Sequence, residues 1–170
     1  MKNILATLAV ALLCVSGCGD KAAPAVASLD PRYEATFAEG IDFRKPGFPR
    51  NVVEVRGMSD YEPWGRWTNH TATRFVFSEP LPLAFVLEIT GGAVGPNLGK
   101  PVRVKVGTQT KEFAFTADPF NTQPQTQSLE FVSTNPVNTI ELQTPQLWRP
   151  INGDPRELGI ALVALRVIRN

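Results

Sequence analysis

Leu81-Pro82-Leu83-Ala84-Phe85-Val86-Leu87-Glu88-Ile89 is the stretch that decides the fold. Its large apolar residues fall at every second position, and a period of two gathers them on one face of an extended strand. Glu79-Pro80 opens the run and Gly91-Gly92 closes it, punctuation that suits the ends of a strand better than its interior. The pattern predicts that Leu81, Leu83, Phe85, Leu87 and Ile89 all face a core.

The same period recurs on both sides. Downstream, Val102, Val104 and Val106 alternate with Arg103 and Lys105, then turn at Gly107-Thr108 into Lys111 to Thr116, where Phe113 and Phe115 share a face. Gln127 to Ser133 and Asn138 to Thr144 follow as further strands. Glu157 to Ile168 is apolar on nearly every residue, as expected of a strand covered on both sides. Upstream, Gly40 to Phe43 and Asn51 to Arg56 read as strands, with a loop at Lys45-Pro46-Gly47-Phe48-Pro49. Pro63 to Thr68 and Ala72 to Ser78 read as a hairpin turning at Asn69-His70-Thr71.

Fifteen prolines, thirteen glycines and ten phenylalanines fit short strands joined by turns. About eight to nine strands without a sustained helical period predict an all-β, antiparallel sandwich of jelly-roll type, with a closed barrel as the second choice.

The N-terminus reads differently. Met1-Lys2-Asn3 and the apolar run Ile4 to Val15 form a secretory leader, too short for an ordinary membrane span. Val15-Ser16-Gly17-Cys18 resembles a bacterial lipobox, which makes residues 1–17 a lipoprotein signal peptide and Cys18 the acylated N-terminus of the mature chain. Residues 18–30 are then lipidated cysteine and tether, because GDKAAPAVASLD is small, polar and broken by proline. Residues 31–170 form one domain.

By bacterial sorting rules Gly19 after the cysteine favours the outer membrane, facing the periplasm, over inner-membrane retention. Lys2 is the only charge before Cys18, so the mature chain balances 16 basic against 16 acidic residues, and nothing favours nucleic acid. Both cysteines lie at or before position 18, leaving no thiol, disulfide or cysteine metal site in the body.

Recognition chemistry concentrates in Asp60-Tyr61-Glu62-Pro63-Trp64-Gly65-Arg66-Trp67. On a regular strand Asp60, Glu62, Trp64 and Arg66 share one face, while Tyr61 and Trp67 share the other. An exposed aromatic beside a carboxylate and a guanidinium suits a sugar ring, which offers one face of C–H bonds and a rim of hydroxyls. Trp64 is then the platform, Glu62 and Arg66 bind hydroxyls, and Trp67 packs against Phe75 or Phe77. The competing reading is structural: Glu62 and Arg66 pair with Arg156 and Asp154 as a clasp between the first and last parts of the sandwich. Trp148 is either a plug at the sandwich end or a second platform. His70 reads as a turn residue. Gly95-Pro96-Asn97-Leu98-Gly99 lacks the following helix that a phosphate cradle needs.

Three ordered motifs resemble a known family: Glu62 to Thr68, Gly95 to Pro101, and Asp154-Pro155-Arg156-Glu157-Leu158-Gly159-Ile160-Ala161-Leu162. The family is a domain of unknown function found at the C-terminus of bacterial phosphoglycerol transferases that decorate periplasmic glucans, and near membrane glycosyltransferases. The resemblance spans roughly Gly40 to Ile168 and implies a non-catalytic β-sandwich that travels with enzymes of glycan assembly. It carries over no catalytic residue, metal or cofactor. The candidate ligand face is Glu62, Trp64, Arg66, Asp154 and Arg156. The function expected is a lipid-anchored periplasmic module that binds an envelope glycan or assists a glycan-assembly enzyme. A scaffolding lipoprotein with a protein partner is the alternative, and a glycosidase built on Asp60, Glu62 and Asp154 has no motif to support it.

Overall fold

A computed structural model of the chain describes residues 24–151 and 153–170. The expected leader and Cys18 lie outside the described residues. Twelve strands are present among those residues: β1 (Arg32–Tyr33), β2 (Ile41–Asp42), β3 (Phe48–Pro49), β4 (Val52–Arg56), β5 (Arg66–Trp67), β6 (Ala72–Phe77), β7 (Ala84–Gly92), β8 (Val102–Val106), β9 (Gln109–Phe113), β10 (Gln125–Val132), β11 (Thr139–Gln143) and β12 (Ala161–Arg169). A single 3₁₀ turn, Gly95–Asn97, sits between β7 and β8.

One sheet runs β10-β7-β12-β2, with β5 also on β12; the other runs β4-β6-β11-β8-β9, and a short parallel pair joins β1 to β3. From β6 onward the chain changes sheet at every step except the β8-β9 hairpin. The orders β2-β12-β7-β10 and β6-β11-β8-β9 are the paired four-stranded sheets of a jelly roll, with β4 added beside β6. Between them lies the main core, in which Phe43, Phe48, Phe75, Phe85, Phe115 and Phe131 are all fully buried.

Four expectations need correction. The hairpin around Asn69-His70-Thr71 does not form, because β5 pairs with Ala161 and Leu162 of β12 while β6 pairs with β4 and β11. Thr68 makes the corner switch sheets: its N–H donates to the Ile160 carbonyl at 2.9 Å, and its carbonyl and Oγ1 accept from the Gly159 and Ile160 amides at 2.7 and 2.9 Å. Those bonds claim the backbone that a hairpin would need.

Leu83 is the second correction, being 56% exposed. Pro82 has no N–H for a ladder, so pairing starts at Ala84, and only Phe85, Leu87 and Ile89 keep the parity. Leu81 is buried all the same, placed by its N–H to the Val137 carbonyl at 2.7 Å.

Third, the apolar run of β12 includes a bulge between Leu162 and Ala164. The bulge shifts parity, so Leu162, Leu165 and Val167 all join one core although their spacing breaks alternation.

Fourth, residues 24–30, assigned above to the tether, lie on the domain. Val26 bridges Arg56, the Ala27 N–H donates to the Val55 carbonyl at 2.8 Å, and Ala27 and Leu29 pack against the core. They cover the outer edge of β4, a row of backbone groups that would otherwise be unpaired.

Candidate functional site

Asp60 to Trp67 is not a regular strand. The amide and carbonyl of Glu62 exchange hydrogen bonds with those of Gly65 at 3.0 and 2.9 Å, which closes a two-residue turn over Pro63-Trp64. Gly65 permits the reversal: its φ is +151°, and a Cβ there would meet the Leu162 carbonyl oxygen at 2.3 Å. The turn cancels strand parity, and with it the shared face expected for Glu62, Trp64 and Arg66.

Arg66 goes the other way. It is 4% exposed, stacks over Phe48 at 4.6 Å, and donates only long bonds of 3.4 Å to the Ser59 and Gly47 carbonyls. Burial pushes its guanidinium below the usual arginine range, opposed by the Asp60 charge. It therefore pins the 47 and 59 loops together and takes no part in the ligand face or in a pair with Asp154.

Trp67 is also relocated, with its ring 5.3 Å from Trp64 and 5.7 Å from Phe120. With Leu158 and Ala161 it forms a small second core at one end of the sandwich, distinct from the one holding Phe75 and Phe77.

The remaining four candidates do meet. The Arg156 Nη1 donates to Glu62 Oε1 at 2.7 Å, and its Nε and Nη2 hold Asp154 at 3.0 and 2.7 Å. The Trp64 Nε1 donates to the other Glu62 oxygen at 2.9 Å. A single polar chain thus runs from Trp64 through Glu62 and Arg156 to Asp154. The guanidinium of Arg156 lowers the Asp154 carboxyl to about 2, and its bonds to Asp154 and then Glu62 raise its own. Half of the expected clasp is therefore present: Glu62 pairs with Arg156 across the domain, while Asp154 is held by the neighbouring Arg156 and not by Arg66.

The clasp forms the polar rim of a cavity of about 370 Å³, within the range of small-ligand sites. Trp64, Trp67, Trp148, Phe120, Val94 and Leu158 make its apolar walls. All three tryptophans of the chain are therefore in one place. Trp148 is half-buried and shares two backbone bonds with Leu158, at 3.0 and 2.9 Å, so it serves as end plug and wall together.

The supports come from segments that looked like ordinary loops. Gly95, at φ +55°, lies under the Trp148 ring, where a Cβ would approach to 2.8 Å. The fully buried Asn97 donates to the Gln146 and Gly159 carbonyls at 3.0 and 3.1 Å, which fixes the segment before Trp148. Phe120 was missed from sequence altogether. It is 53% exposed, 5.1 Å from the Trp64 ring, on a loop braced by Asp118, which accepts from the Phe120 and Asn121 nitrogens at 2.9 and 2.7 Å. An aromatic just before the polar run Asn121-Thr122-Gln123-Pro124 was the available signal.

A domain of unknown function, DUF7024, matches residues 25–169. The chain is 30% identical over 147 residues to phosphoglycerol transferase I of Escherichia fergusonii, and 31% identical over 148 residues to that of Citrobacter koseri. Each match covers 82% of this chain but 18% of the relative, so the chain spans less than a fifth of those proteins. No solved structure matches it. The three motifs that suggested a domain carried by phosphoglycerol transferases lie within the matched residues, and the chain belongs to the DUF7024 family.

Proposed function

We propose that the protein is a lipid-anchored, non-catalytic periplasmic module, held at the outer membrane through Cys18, that binds an envelope glycan at the Trp64 cavity. The observation that carries this reading is the meeting of Trp64, Phe120 and Trp148 with the Glu62-Arg156-Asp154 chain around one cavity. Aromatic faces take the C–H surface of a pyranose, and the charged rim takes its hydroxyls. Similarity to part of phosphoglycerol transferase I supports a role beside glycan-modifying enzymes.

The state of the carboxylates supports binding over catalysis. A general acid needs a proton near neutral pH, whereas Asp154 is held down to about 2 and both Glu62 oxygens are already bonded. Trp64→Ala is expected to abolish retardation of the protein in native gels cast with envelope glycans while the melting temperature moves by only a few degrees. Equal retardation of the variant, or no retardation of the native protein across a broad glycan panel, overturns the reading.

A protein partner is the second reading, favoured by Phe120 and by the wholly exposed Ile151 beside the Pro150 wall. In-cell crosslinking from position 151 to one defined protein, without glycan retardation, would select it.

A further inference from the structure

The rim of the cavity limits what kind of glycan fits. Arg156 pairs with both Glu62 and Asp154, and the three groups together sum to one net negative charge. No other lysine or arginine lines the cavity among the described residues. Both carboxylates accept only; the Asp154 oxygens are already taken up by the Arg156 backbone and guanidinium, whereas each Glu62 oxygen receives one bond and keeps a second lone pair. Arg156 donates only, and Nη1 and Nη2 each carry a second hydrogen beyond those used on Glu62 and Asp154.

A ligand group that satisfies this rim must both donate and accept within a short span. Adjacent hydroxyls of an unsubstituted sugar do so: one gives its proton to a carboxylate while its neighbour accepts from the guanidinium. A phosphoryl group accepts but cannot donate when ionised, and it would bring negative charge against two carboxylates. The apolar walls supply no compensating cation.

We infer that the cavity selects uncharged pyranose rings with free adjacent hydroxyls and rejects rings bearing a phosphoryl substituent, through the Glu62-Arg156-Asp154 rim. The inference rests on the glycan-binding reading above. Beside an enzyme that adds a phosphorylated group to a glycan, such a module would hold the unmodified acceptor and release the modified product. The reaction that consumes what it binds is then transfer of an anionic group to a sugar hydroxyl.

The test compares matched ligands by calorimetric titration of the full-length protein: glucopentaoses of β-1,2, β-1,3 and β-1,4 linkage, each with and without phosphate on primary hydroxyls. At least one neutral pentaose should bind about tenfold or more tighter than its phosphorylated partner at low salt, and the gap should shrink at about 0.5 M salt, where exposed charges are screened. Glu62→Gln, which removes one rim charge, should narrow the ratio of neutral to phosphorylated affinity several-fold at low salt, and that ratio, not the neutral sugar's own affinity, is the readout. Equal binding of both ligands, or tighter binding of the phosphorylated one, overturns the selectivity and leaves glycan binding standing. Binding of neither overturns both. A gap that Glu62→Gln leaves unchanged removes the rim as its cause.

Discussion

Arg156 holds the two ends of the domain together through exposed bonds, which sets the size of its effect. Its side chain is 45% exposed, so Arg156→Ala should cost about 1 kcal/mol rather than the several expected of a buried pair. Loss of glycan binding should be complete by comparison, and chemical denaturation beside gel retardation separates the two. Asp154 adds a pH dependence. Its carboxyl is lowered from 3.8 to about 2 by Arg156, so the stability it contributes is full above 3.8 and is lost as pH falls from there through about 2. Thermal melts between pH 5 and 2 should show this loss in the native protein and much less of it in Asp154→Asn. At this scale Glu62, Trp64, Asp154 and Arg156 were legible, because their chemistry was dense in the sequence and two motifs carried them. Arg66 was misplaced because one glycine reverses the chain just before it, and strand parity cannot see a turn. Phe120 was missed because a lone aromatic among glutamines and threonines has no periodicity to read.

Alternation located the strands well but misjudged their ends, and the errors have physical causes. β7 begins at Ala84, three residues after the apolar pattern begins, because Pro82 interrupts the ladder. Phe85→Ala should therefore cost about 3 to 5 kcal/mol, as for a buried phenylalanine, while Leu83→Ser should stay within about 0.5 kcal/mol. Comparable losses at both positions in urea denaturation would contradict the register of β7. β5 left its expected hairpin because Thr68 spends its backbone on the Gly159-Ile160 segment, a contact across more than ninety positions that no local signal announces. The 3₁₀ turn before β8 makes its own prediction. Gly95→Ala introduces a Cβ against the Trp148 ring at a left-handed φ, so it should cost about 1 to 2 kcal/mol and weaken glycan binding by displacing that wall. Near-ultraviolet circular dichroism would report the moved indole.

For the whole molecule, the jelly roll followed from strand count and composition, and the strand order agrees with it. What composition could not give is where the sheets bring distant loops together. The site is assembled at one sandwich end from the Pro63-Trp64 turn, the Phe120 loop and the segment from Trp148 to Leu158, all converging on a second core around Trp67. This convergence ties clasp to binding wall, so Glu62 and Arg156 serve both the fold and the proposed site. It also offers a built-in reporter, because all three tryptophans line the one cavity. The most direct measurement is a titration of intrinsic tryptophan fluorescence with the glycan that retards the protein in gels. A saturable change is predicted for the native protein and its loss is predicted for both Trp64→Ala and Phe120→Ala in folded form. Binding that leaves the fluorescence unmoved, or that survives both substitutions at full strength, would place the glycan elsewhere and contradict the account.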